Sequence, residues 1–140
     1  MGREEGAPPP VDLALEKRNG DFVRGLIRSR QVSAVHDISD GGLIQSLAEM
    51  TLASNRFGAR MAAMDHVALF AEDQARYLVT CSDPHSLLRA AETAGVAAEI
   101  VGIVTPLPSL IVGDSASIPL EELRLTHEGW FPAYMANKAA

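Results

Sequence analysis

"VSAVHDISDGGLIQSLAEM", residues 32–50, decides the fold, because it changes period in the middle. Its first half is short and β-branched at Val32, Val35 and Ile38, which reads as a buried strand over 32–38. Its second half opens a helix read over 41–55, with Leu43, Leu47 and Met50, and Ile44 beside them, at the spacing of one helical face. Asn55 or Gly58 supplies the stop. A strand therefore hands over to a helix through two acids, a serine and a glycine pair.

The same alternation continues outward. Upstream, Leu13, Leu15, Phe22, Val23, Leu26 and Ile27 predict a helix between Val11 and Arg30, which Gly20 bends or divides, with Asp21 capping the second part. Downstream, 57–64 and 76–81 read as strands, and 82–95 as a helix started by Ser82 or Asp83, with Pro84 in its first turn and Gly95 as its stop. Residues 98–104 and 108–113 add strands, and 119–135 a closing helix interrupted near Pro132. Strands and helices at this spacing predict an α/β (α+β) fold in which helices cover a mixed sheet. Residues 1–10 read as an extended, linker-like lead-in, 11–136 as a single domain, and 137–140 as a frayed tail.

Composition narrows the chemistry. With 47% apolar residues in 140, the chain can fill one core. Its 18 acids against 12 Lys and Arg, net −6, create no basic field, so nucleic acid is not an expected partner. The one cysteine, Cys81, supports neither a disulfide framework nor a thiolate zinc site and is expected as a buried hydrophobe. No window is apolar for long enough to cross a bilayer and "MGREEGAPPP" lacks an apolar signal core, so the expectation is a soluble, cytosolic chain. His66, His85 and His127 lack metal-ligand spacing, and neither a P-loop nor a Gly-x-Ser-x-Gly elbow is present.

The handover loop is the first place for chemistry. Unpaired N–H groups at a helix start favour an anion; Gly41 and Gly42 allow a phosphate close approach, Ser39 and Asp40 can cap the helix, and Asp37 can offer a carboxylate to a metal ion. A plainer account stands beside it: Asp40 only caps, the glycines only turn the chain, and His36 is a satisfied strand histidine. A second cluster, "FAEDQARYLV" at 70–79, places Glu72, Asp73, Gln74 and Arg76 before a strand, as a polar-ligand site or as a solvated turn. "EGWFPAYM" gathers Trp130, Phe131 and Tyr134, either closing a core or forming an interface patch.

Taken together, "PPPVDLALEKRNGDFVRGLI", "VSAVHDISDGGLIQSLAEM", "FAEDQARYLV" and "AGVAAEIVGIV" resemble the C-terminal end of phosphoribosylformylglycinamidine synthase in its bacterial subunit-two form, from about Gly2 through Met135. The resemblance implies the C-terminal fold of the aminoimidazole ribonucleotide synthetase-like superfamily. It also implies an ATP- and magnesium-dependent conversion of formylglycinamide ribonucleotide, with glutamine-derived ammonia, to the amidine, giving ADP and phosphate. The implied partners are the remaining synthetase domains, a glutaminase subunit and a small carrier subunit.

The family polypeptide is much longer and internally duplicated, and its chemical histidines and "GGN" segment lie upstream of the part matched here. No catalytic residue is therefore expected in this chain, and no synthetase activity from it alone. By analogy with the first-half copy, the resemblance makes Asp37 the magnesium aspartate and Glu72 and Gln74 the substrate-binding residues. Ser39, Asp40, Gly41 and Gly42 then line a phosphate or nucleotide site. Asp73 stands where that copy has serine, which leaves open whether the second copy lines an auxiliary nucleotide site or none. The rival expectation is a non-catalytic association module that forms homo-oligomers or complements the missing domains.

Overall fold

The change of period at residues 38–42 appears as a strand, a tight glycine turn and a helix in a computed structural model that describes residues 10–114 and 116–137. The lead-in read over 1–10, apart from Pro10, and the tail beyond residue 137 lie outside the described residues. The elements run α1 (Leu13–Arg28), β1 (Ala34–Asp37), α2 (Gly42–Ser54), β2 (Gly58–Met61), α3 (His66–Phe70), β3 (Tyr77–Thr80), α4 (Pro84–Thr93), β4 (Gly102–Thr105), β5 (Ser109–Val112), β6 (Ala116–Pro119) and α5 (Leu120–Asn137). The described residues fall into two compact units, one drawn from 10–46 and 69–99, the other from 47–68 and 100–137.

In the first unit β1 and β3 pair antiparallel, Val35 opposite Val79 and His36 opposite Leu78. The expected buried strand is only half-buried at Val35 and His36 and exposed at its ends, because a two-stranded ribbon has no flanking strands to enclose it. The apolar interior comes from Val23 and Leu26 of α1, Ile38, Leu43, Leu78, and Leu87 and Ala91 of α4. Helix α1 is not divided at Gly20. Asp12 caps it, accepting from the amides of Ala14 at 2.9 Å and Leu15 at 3.0 Å, and Asp21 instead pairs with Lys17 and Arg24. Asp83 caps α4 through the Ser86 amide at 3.0 Å, with Pro84 as its first residue, as the sequence predicts.

The second unit holds a four-stranded mixed sheet in the order β4-β2-β5-β6, with β2 and β5 parallel and the outer pairs antiparallel. Met61, Leu110, Ile111, Leu52 and Leu120 are among its buried residues. The strand expected from residue 98 begins only at Gly102, and β6 and the five-residue α3 carry no apolar period that would have announced them. On the far side of β4 no further strand pairs among the described residues, and its Ile103 and Val104 are both exposed. Helix α5 runs through Pro132 without the expected break. In an exposed helix the Glu128 carbonyl that the proline leaves without a donor has water to bond.

Two further expectations change. Trp130, Phe131 and Tyr134 close no core: they are exposed along α5, Trp130 and Tyr134 stacked at 5.1 Å between ring centroids. Cys81 is half-buried rather than enclosed, one residue past the end of β3. Among the described residues no helix is long and apolar enough to cross a membrane.

Candidate functional site

The glycine turn is built by backbone geometry that only glycine adopts easily. Gly41 and Gly42 have φ of +80° and +70°. A β-carbon on Gly42 would meet the Leu69 carbonyl oxygen and the Phe70 backbone at 2.7 Å, so the turn also brings the 69–70 backbone against the start of α2. The single proton of the Ser46 hydroxyl is shared between the carbonyls of Asp37 at 3.1 Å and Gly42 at 3.0 Å, linking the end of β1 to the first turn of α2. The Ile38 amide donates to the Arg76 carbonyl at 2.9 Å, extending the β1–β3 ribbon toward the second cluster.

The two clusters meet. The Gly41 amide donates to Glu72 Oε1 at 2.7 Å, a charge-assisted bond across 31 residues of sequence. The Gly42 amide donates to the Ser39 carbonyl at 3.0 Å. Both amides expected to stand open to an anion thus already have acceptors, and the Glu72 carboxylate takes the place an anion would take at this helix start. Ser39 and Asp40 are exposed at the turn, as are Glu72, Asp73 and Gln74 on the facing segment. The Asp37 side chain is 67% exposed, with its Oδ1 3.7 Å from His36 Nδ1, and that ring nitrogen donates to the Asp37 carbonyl at 2.6 Å.

The facing segment is itself held at both ends. Arg76 donates to the Ala71 carbonyl at 3.2 Å and lies 3.9 Å from Asp73. Ala75 adopts φ of +64°, and its carbonyl accepts from Asn19 Nδ2 of α1 at 3.0 Å. Asn19 was not singled out in the sequence; its one signal there is a polar, weakly helix-forming residue next to glycine in the middle of an amphipathic helix.

Four carboxylates, Asp37, Asp40, Glu72 and Asp73, and one guanidinium belong to these two segments. Such a rim repels a bare anion and suits a cation-bearing phosphate or the hydroxyl and amide groups of a polar substrate. Among the described residues no three His, Cys, Asp or Glu side chains converge to hold a metal ion. Magnesium would fit only in the manner in which it rides on nucleotides, with one carboxylate of this rim beside phosphate oxygens and water.

A cleft of about 470 Å³ in the second unit, lined by Glu49, Leu52, Ala53, Asn55, Arg124, His127 and Glu128, is a separate feature. Its arginine is committed to the end of α2, donating to the Leu52 carbonyl and Asn55 Oδ1, each at 3.0 Å, and to Glu128 at 2.6 Å.

Comparison with known proteins places these observations. The family described as AIR synthase related protein, C-terminal domain, matches residues 1–115. The phosphoribosylformylglycinamidine synthase subunit PurL of Caulobacter vibrioides is 48% identical over 145 residues, covering 100% of this chain and 19% of that protein. The subunit of the same name from Rhodospirillum rubrum is 49% identical over 142 residues, covering 98% of this chain and 19% of its own length. The chain thus spans about a fifth of the curated relatives it matches.

Among solved structures, T. maritima PurL complexed with FGAR superposes with a TM-score of 0.73 at 20% identity, over 87% of this chain and 23% of that one. PurL of the same organism complexed with ATP gives 0.65 at 20% identity, over 76% and 21%. The PurLQS structure from Thermotoga maritima gives 0.66 at 18% identity, over 81% and 22%. At these identities the structural likeness establishes the fold.

Proposed function

We propose a function from the premise that this chain belongs to the AIR synthase related protein family, as its C-terminal domain. It serves as the C-terminal α/β domain of a phosphoribosylformylglycinamidine synthase of the PurL kind. The complete enzyme converts formylglycinamide ribonucleotide, ATP and glutamine-derived ammonia to formylglycinamidine ribonucleotide, ADP and phosphate in purine biosynthesis, in the cytoplasm. The chain's own part is to bind and orient. Glu72 and Gln74 contact a polar ligand, Asp37 contributes one oxygen to magnesium on a nucleotide, and the 39–42 turn approaches its phosphates once Glu72 has given up the Gly41 amide.

The observation that carries this reading is the hydrogen bond from Gly41 to Glu72, which unites the two segments that the family resemblance makes ligand-facing. The experiment is steady-state kinetics of a full-length synthase carrying this domain. Asp37→Asn is expected to weaken magnesium-nucleotide use, and Gln74→Ala to raise KM for formylglycinamide ribonucleotide. Wild-type constants in both variants would leave the two segments as scaffolding.

A second role is favoured by one observation. The aromatic face of α5, Trp130, Phe131 and Tyr134, lies beyond the residues matched by the family yet within the span shared with the Caulobacter vibrioides relative. We assign this face to docking within the synthase assembly, whose partners are the remaining synthetase domains and the glutaminase and small carrier subunits. Replacing Trp130 and Phe131 together by glutamate is expected to weaken assembly of the full complex in sedimentation while leaving helix content by circular dichroism unchanged.

A further inference from the structure

We infer that Asn19 is a positioning residue, holding the 72–74 segment where Glu72 and Gln74 can reach a ligand; the inference rests on the reading of that segment as ligand-facing. The segment leaves Ala71 and returns at Arg76, and its return is the unusual part. Ala75 has φ of +64° although it carries a β-carbon. Side-chain-bearing residues keep such a conformation where their surroundings hold it.

Asn19 supplies that hold: its Nδ2 donates to the Ala75 carbonyl at 3.0 Å, from 56 residues away in sequence. Helix α1 also lies beside β3 there, since a β-carbon added at Gly20 would sit in ordinary van der Waals contact, 3.4 Å from the Tyr77 hydroxyl. Among the described residues the other amide atom, Asn19 Oδ1, is buried with no partner, so this placement costs an unsatisfied acceptor. A mid-helix asparagine that makes a single bond, and makes it to the strained carbonyl of another element, is fixing that element rather than its own helix.

The remaining anchors complete the frame. Arg76 closes the segment over the Ala71 carbonyl, and the Ile38 amide ties the Arg76 carbonyl to the end of β1. The Asn19 bond, at Ala75, adjoins Gln74, as the Arg76 bond, at Ala71, adjoins Glu72. Without the Asn19 bond, Ala75 is free to leave its left-handed conformation, and Glu72 and Gln74 lose the fixed backbone from which they reach a ligand.

Asn19→Ala tests this, since it removes the donor while favouring the helix. In a full-length synthase carrying this domain it is expected to raise KM for formylglycinamide ribonucleotide by about fivefold or more, with kcat within about twofold of wild type. A merely structural role would instead lower the active fraction, and so kcat, at unchanged KM. In the same full-length protein the substitution is expected to speed amide exchange at Gly41 and over 72–76 while α1 and the β1–β3 ladder keep their protection.

Asn19→Asp, the same size but without the donor, is expected to move KM in the same direction and serves if the alanine variant does not fold. An unchanged KM in both overturns the inference whatever the exchange shows. Gln74→Ala separates the two levels: if it too leaves KM unmoved, the ligand-facing reading itself falls. If it raises KM while the Asn19 variants do not, only the role of Asn19 falls.

Discussion

Gly42 shows how much one position demands. Its left-handed φ of +70° and the 2.7 Å approach of the 69–70 backbone to a would-be β-carbon act together. Gly42→Val is therefore expected to lower unfolding stability by about 3 kcal/mol or more, combining left-handed strain with overpacking. Gly95, with φ of +66° and nothing within 4 Å of its missing β-carbon, is the control. Gly95→Ala incurs the conformational term alone, about 1 kcal/mol, and urea titration of the two variants checks the difference. The glycine pair was legible in the sequence as a turn that something approaches closely. That the something includes the chain's own Glu72 was not legible, because a carboxylate 31 residues away announces no partner until the fold brings it there.

At the scale of elements, α1 and α4 end in the same way. Gly95 and Val96 donate to the carbonyls of Glu92 and Ala91, and Arg30 and Gln31 to those of Ile27 and Leu26. The second of these caps places an arginine at φ of +57°. Arg30→Gly is accordingly expected to stabilise the chain by about 0.5 kcal/mol, read as a raised urea midpoint. At the other end of α4, the Ser86 backbone amide, followed by the Ser86 side chain, holds the Asp83 carboxyl below its ordinary 3.8. A depressed carboxyl stabilises the fold above its unfolded value, and that contribution is lost as pH falls through the folded one. The midpoint deficit of Asp83→Ala is thus expected to be full at neutral pH and to shrink below about pH 4.

The long periodic elements and the caps of α4 could be read from spacing and residue type. What could not be read were α3 and β6, too short to show a period, and the unbroken course of α5, where exposure rather than sequence decides that Pro132 is tolerated. The half-burial of β1 was equally hidden, since β-branched residues look alike in a two-stranded ribbon and in a sheet interior.

For the molecule as a whole, the apolar surface left open is as informative as the cores. Leu125, Trp130, Phe131 and Met135 of α5 are each more than half exposed, as are Ile103 and Val104 of β4. Patches of this kind on a chain spanning 19% of its relatives are expected to make it associate when purified alone, which light scattering across a dilution series checks. The free margin of β4 adds a practical corollary. "GIVT" has no charge and no proline, and along one side no strand pairs with it among the described residues, so overproduction of the chain by itself should drive material into inclusion bodies. A single lysine gatekeeper at Ile103, on a side chain already facing water, should recover a larger share in the clarified lysate.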